Sequence, residues 1–248
     1  MIISPDFVVL ISANAEWRVV RKYFSVSSVS SSPYGEWFTY SYKELPDLRK
    51  PIVFIHGGWG KVAAAASTQY AISLWHPEMI INLGTCGGFE GEIDRGEIIL
   101  VDKTLIYDIY EQMGDPEEHI QHYISEIDTS WLNDPLPLKV KRTLLVSGDR
   151  DLVSKEIPLL KTKYGAIAGD WESGAIAWVA TKNQTRCLVL RGVTDLVGEN
   201  GGEAYKGNVN YYYENAEMIM KKLIESLPGW LAKYTDRILL KTKRPNVQ

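Results

Sequence analysis

Only two cysteines, Cys86 and Cys187, occur in the 248 residues. That excludes a disulfide scaffold, and with no Cys/His ligand spacing it leaves no zinc motif, so no metal and no cofactor is expected. A reducing, cytoplasmic setting fits this usage. No apolar run approaches the ~20 residues of a membrane span. The first such run, residues 7–11, leads at once into Asn14, Glu16 and Arg18 and has no basic segment before it, so it reads as a strand rather than a signal peptide. A net charge of -4 and the absence of any dense Lys/Arg block argue against nucleic acid as a partner. The four histidines, His56, His76, His119 and His122, form no triad or ligand pattern, and His76 before Pro77 reads as a loop residue at a helix end. No internal repeat is visible. Small molecules are the expected partners, with no nucleic acid and no membrane.

What is present is a core-forming composition, 45% hydrophobic, long enough for one large α/β domain over residues 1–248. Short apolar runs rich in β-branched residues at 7–12, 51–56, 79–83, 97–101, 143–146, 166–168 and 187–191 predict buried strands. Helical patterns at 61–75, 173–181 and 209–233 alternate with them, which predicts a parallel or mixed sheet between helices. The tyrosines of the last helix read as packing residues. Residues 25–33 hold six serines and a proline and predict a loop or mobile connection. Residues 114–137 are polar and follow Tyr107, Tyr110 and Met113, which suggests an excursion able to cover a pocket. Residues 235–248 form a tail whose basic stretch, 241–244, is expected to be solvated.

The chemistry concentrates where strands run into small or acidic residues. Ile80-Ile81-Asn82-Leu83-Gly84-Thr85-Cys86-Gly87-Gly88 predicts a strand entering a small-residue turn, at which Thr85, Cys86 and Gly87 let a ligand approach the backbone. A second strand, through Arg191, ends on Asp195, an acid able to deliver a proton beside it. Gly57-Gly58-Trp59-Gly60-Lys61-Val62 joins a strand to a helix, where free N–H groups and the helix dipole favour an anion or a polar ligand edge. It is not a phosphate-binding Walker loop, because Ile55 and Val62 occupy the places of the required Gly and hydroxyl residue. In Asp170-Trp171-Glu172-Ser173 a carboxylate can accept two hydrogen bonds from a vicinal diol, as in ribose; the alternative is helix capping by Asp170. Ser147-Gly148-Asp149 lacks the Gly-x-Ser-x-Gly context of a hydrolase elbow.

Taken in order, Gly58-x-Gly60-Lys61-Val62-Ala63-Ala64-Ala65, the Ile80–Gly88 block, Val146-Ser147-Gly148-Asp149, Trp171-Glu172-Ser173-Gly174-Ala175-Ile176-Ala177 and Arg191-Gly192-Val193-Thr194-Asp195 resemble the nucleoside phosphorylase superfamily. Within it they are most similar to the 5'-methylthioadenosine/S-adenosylhomocysteine nucleosidases. The resemblance implies a three-layer α/β sandwich around a mixed, partly closed sheet and cleavage of an N-ribosidic bond. It implies that Asp195 protonates the purine, Glu172 holds the ribose hydroxyls and Glu16 activates water, with Arg191 among the substrate-binding residues. It also implies a homodimer, and Tyr107, Tyr110 and Met113 are the candidates to accommodate a 5'-thioether, across a subunit boundary. Asn82 stands where the hexameric phosphorylases carry a phosphate-gripping arginine, which favours hydrolysis over phosphorolysis. Arg18 and Arg21 are the candidates for an alternative phosphate site. Two departures stand in the expected binding surface: Arg150-Asp151-Leu152 where the nucleosidases present a base-stacking aromatic, and Trp171 in place of a methionine. They motivate a second alternative, a nucleoside-binding homologue with reduced activity.

Overall fold

The computed structural model describes residues 3–205 and 207–242. In chain order the elements are β1 (Phe7–Ile11), α1 (Asn14–Tyr23), β2 (Ser30–Ser31), β3 (Glu36–Tyr40), β4 (Ile52–His56), α2 (Gly60–Trp75) and β5 (Met79–Phe89). There follow β6 (Ile98–Ile106), α3 (Pro116–His122), β7 (Ile124–Glu126), β8 (Lys141–Ser147), α4 (Ile157–Tyr164) and β9 (Ala168–Asp170). The chain continues through α5 (Ser173–Lys182), β10 (Arg186–Gly198), β11 (Gly201–Gly202) and α6 (Val209–Thr242). All the strands belong to one mixed sheet in the order β11-β10-β6-β8-β9-β5-β1-β4-β3-β2, with β7 beside β6. A further pairing of β10 with β5 closes the β10-β6-β8-β9-β5 portion into a barrel, and the remaining strands extend from it as an open wing.

Side-chain alternation along the strands builds the layers. In β1, Phe7, Val9 and Ile11 face a core closed by Trp17 and Val20 of α1 and Ile219, Leu223 and Leu227 of α6. Val8 and Leu10 face the opposite core, closed by Ala64, Ala71 and Ile72 of α2 and Ala175, Ile176 and Ala180 of α5. Small residues on α2 and α5 let the two helices pack closely against each other. A third cluster, with Leu105, Val146 and Phe89, packs Ile157 and Leu160 of α4. Among the described residues no helix is long and apolar enough to cross a membrane.

Several sequence expectations need correction. The small-residue stretch Gly84–Gly88 is not a turn: β5 continues through it to Phe89, and β10 likewise runs past Asp195 to Gly198. Long-range pairing decides this, because each strand is the other's partner along its whole length. The pairing slips between Val193 and Asp195, a bulge at Thr194 that re-aims the side chains that follow. Residues 114–137, expected as an excursion, contain α3 and β7. In the serine-rich stretch, Ser30–Ser31 pairs with Trp37 and Glu36 of β3, an edge strand that the hydrophobic pattern did not reveal. The basic stretch at 241–244 extends past Thr242, and its last residues lie outside the described ones.

Candidate active site

A cavity of about 830 Å3 opens where β5, β9 and β10 meet the first turns of α1 and α5, a size suited to a small organic ligand. Five carboxylates line it: Glu16, Asp151, Asp170, Glu172 and Asp195. Among its described lining residues there is no Lys, Arg or His.

Glu16 lies in the first turn of α1, a favourable place for a carboxylate near a helix N-terminus. Its Oε1 accepts the Thr85 N–H at 2.7 Å and the Thr85 hydroxyl at 2.8 Å, and its Oε2 accepts the Ala13 N–H at 3.3 Å. Burial pushes its carboxyl up, while the Arg191 charge and the Thr85 and Ala13 hydrogen bonds hold it down. Glu172 stands immediately before α5, and its Oε1 accepts the Gly60 N–H at 2.9 Å. Burial and the neighbouring Asp170 charge raise it, against the opposing pull of Arg191 and the Gly60 N–H. Asp195 follows the bulge in β10 and accepts the Thr194 hydroxyl at 2.7 Å on one oxygen. Burial raises its carboxyl, the Thr194 hydrogen bond lowers it, and the charges of Glu203 and Asp151 raise it again.

Behind the cavity a buried ion pair organises these acids. Arg191, 1% exposed, donates from Nε to Asp170 at 2.7 Å and from Nη2 to Asn82 Oδ1 at 2.7 Å. Asp170 also accepts from the Ser147 hydroxyl at 2.6 Å and from the hydroxyl and N–H of Ser173, so it secures the start of α5. Arg191 Nη1 has no hydrogen-bond partner among the described residues and lies against Gly84, beside Glu16. Only glycine fits at 84: a Cβ there would collide with the guanidinium and come within 3.1 Å of Glu16 Oε1.

The Gly57–Lys61 loop does not present an open anion site, because protein carboxylates occupy it. Glu172 takes the Gly60 N–H, Asp149 takes the Lys61 N–H at 2.6 Å, and the Lys61 ammonium pairs with Asp108. Gly60 has a φ of +75°, and a Cβ on it would lie 2.8 Å from Asp149 Oδ1.

Of the residues singled out from sequence, Glu16, Thr85, Cys86, Gly87, Asp151, Leu152, Trp171, Glu172 and Asp195 line this one cavity. Arg191 is not part of its surface but stands behind it. Tyr107 is also outside the lining; its ring packs over Gly148 and carries the Arg150 guanidinium at 5.4 Å. Asn82 is buried, bridging Arg191 and the Leu10 carbonyl. Arg18 lies over Tyr213 and Arg21 pairs with Glu36, so neither reaches the cavity. Sequence reasoning missed Trp59, Thr194, Tyr205 and Tyr212. Trp59 sits inside the glycine loop and Thr194 beside Asp195, so both were adjacent to recognised motifs. Tyr205 and Tyr212 arrive through tertiary structure, Tyr205 by donating to the Leu152 carbonyl at 3.1 Å. Among the described residues no group of three or more His, Cys, Asp or Glu is placed to hold a metal ion.

The family model described as the phosphorylase superfamily matches residues 13–227. The 5'-methylthioadenosine/S-adenosylhomocysteine nucleosidase of Buchnera aphidicola (subsp. Acyrthosiphon pisum) is 29% identical over 187 residues, covering 71% of this chain and 81% of the relative. Among solved structures, the Helicobacter pylori nucleosidase of the same name, bound to butyl-thio-DADMe-Immucillin-A, superposes with a TM-score of 0.72 at 18% identity, over 91% of this chain and 98% of that one. Helicobacter pylori futalosine hydrolase gives 0.72 at 18% identity, over 90% and 97%. These structural likenesses agree with the barrel and its flanking helices. With the family pattern spanning most of its length, the chain belongs to the phosphorylase superfamily.

Proposed function

We propose that this protein hydrolyses the N-ribosidic bond of a purine nucleoside, 5'-methylthioadenosine or S-adenosylhomocysteine, and releases adenine. The observation that carries this reading is the convergence of Glu16, Glu172 and Asp195, from three separate elements, on one nucleoside-sized cavity. A purine leaves ribose slowly as an anion, so a proton delivered to the ring lowers the barrier. Asp195, whose carboxyl is shifted by burial toward holding its proton to higher pH, supplies it. The bond from C1' to the purine nitrogen breaks, the developing cation at C1' takes the oxygen of a water, and Glu16 accepts that water's proton. Glu172 accepts hydrogen bonds from the ribose hydroxyls. An acid and a base on opposite sides of a sugar with water between them is the arrangement of inverting glycosidases.

Water is favoured over phosphate by what occupies the N-terminus of α2. Glu172 and Asp149 take the N–H groups that would otherwise meet an anion. Turnover of 5'-methylthioadenosine in phosphate-free buffer tests this directly. Undiminished adenine release supports the hydrolase, whereas release that requires phosphate and yields a sugar 1-phosphate establishes a phosphorylase. Binding of the nucleoside without any product identifies a binding homologue.

The same reading takes residues 1–248 as one domain acting in the cytoplasm as a homodimer. Tyr110 is 71% exposed and Met113 96% exposed, and a second subunit covering them would bring their apolar surface toward the 5' substituent.

A further inference from the structure

Three consecutive tyrosines open α6, and the helix turns each by about 100° from the last, so they cannot share one task. The Tyr211 hydroxyl accepts from Arg95 at 2.6 Å. Tyr213 carries the Arg18 guanidinium over its ring at 5.6 Å. Tyr212 alone turns into the cavity, where its hydroxyl lies 3.5 Å from Thr85 Oγ1. The direction of that contact follows from its neighbour: the Thr85 hydroxyl donates its one proton to Glu16 at 2.8 Å, so Thr85 Oγ1 can only accept from Tyr212.

We propose that Tyr212 is a positioning residue for Glu16, acting through the chain Tyr212 O–H to Thr85 O–H to the Glu16 carboxylate. This rests on the hydrolase reading, in which Glu16 accepts the proton of water. The chain holds the carboxylate in one rotamer and supports its ionised form, since a hydroxyl that accepts a hydrogen bond donates a stronger one. The Tyr212 to Thr85 contact of 3.5 Å is at the long end for two hydroxyls. The phenol is suited to this place because burial, and then the charges of Glu16, Glu172 and Asp195, push its proton loss to higher pH and keep it a neutral donor. The groups facing Glu16 are Arg191 from β10, Glu172 before α5, Thr85 and Cys86 from β5, and Tyr212 from α6. Of these Arg191 and the Thr85 hydrogen bonds favour the ionised carboxylate.

Tyr212→Phe keeps the ring and removes only the hydroxyl. Loss of the donor weakens the Thr85 hydrogen bond, so Glu16 is expected to hold its proton to higher pH. The acid limb of kcat/KM for 5'-methylthioadenosine is then expected to move up, with a two- to tenfold loss along that limb, the worth of roughly one hydrogen bond. Thr85→Val breaks the chain closer to Glu16 and is expected to move the limb further in the same direction. Adding Tyr212→Phe to Thr85→Val should then change nothing more. Titration of the Glu16 carboxyl by carbon-13 NMR, assigned with Glu16→Gln, reads the same shift without turnover. An acid limb and a Glu16 titration unmoved by Tyr212→Phe, or losses that simply multiply in the double variant, would overturn the proposal. Failure of the unmodified protein to release adenine would remove the hydrolase reading, while the Glu16 titration would still decide whether Tyr212 positions that carboxylate.

Discussion

Replacing Arg191 with Met tests whether the buried ion pair behind the cavity holds the site together. The substitution preserves much of the side-chain volume but deletes the cation from a place where the two side chains are 1% and 2% exposed. Removing one member of such a pair costs about 3–5 kcal/mol, because the other charge stays buried without its counterion. Asp170 keeps the Ser147 and Ser173 donors, which places the loss from the carboxylate toward the lower end of that range. Asn82 Oδ1 also loses the Arg191 donor, adding about 1 kcal/mol. At roughly 2–4 °C per kcal/mol for a domain of this size, a total loss of about 4–5 kcal/mol should lower Tm by about 8–20 °C. Urea unfolding followed by circular dichroism gives the free energy and a thermal scan gives Tm. The second substitution Asp170→Asn, made in the Arg191→Met background, removes the orphaned charge and should recover about half of the loss. An Arg191→Met protein melting within about 2 °C of the parent, or a double variant no more stable than the single one, would refute the argument.

Other expectations follow from the same geometry. Asp195→Asn should lower kcat for adenine release by about 100-fold or more, the usual worth of a general acid, with the circular dichroism spectrum unchanged; near-normal turnover would remove Asp195 from the acid role. Because Asp151 contributes to the raised carboxyl of Asp195, Asp151→Asn should move the basic limb of kcat/KM to lower pH. Asp151 is exposed, so that shift should shrink in high salt. Glu172, raised in the folded state, contributes stability that is present below the ordinary carboxylate range and lost as pH rises through its folded value. Glu172→Gln should therefore gain Tm over the parent progressively with rising pH, and a constant difference from pH 5 to 9 would contradict the shift.

Much of the cavity lining was readable because its motifs, each ambiguous locally, together resemble one family. Glu172 precedes an alanine-rich helix, Glu16 follows the first buried strand, and Thr85 to Gly87 form the small-residue stretch of a β-branched run. Their clustering in one cavity needed the fold. The roles of the charged residues behind it were less accessible, because Arg191 in a motif looks the same whether it faces a ligand or a buried aspartate. Only its pairing with Asp170 and Asn82 distinguishes the two. The glycine loop was similarly ambiguous: free N–H groups invite an anion, and nothing local says that the Glu172 and Asp149 side chains will take them.

By itself the sequence determined an α/β fold with buried strands and the positions of its principal helices, because apolar periodicity is a local property, while the acids that line the cavity were singled out by the resemblance of their motifs to a family. Tertiary structure decided that β5 and β10 run through the expected turns, since their mutual pairing closes the barrel. It also decided which of three adjacent tyrosines enters the cavity, because helix rotation and the docking of α6 against the sheet set the direction of each ring.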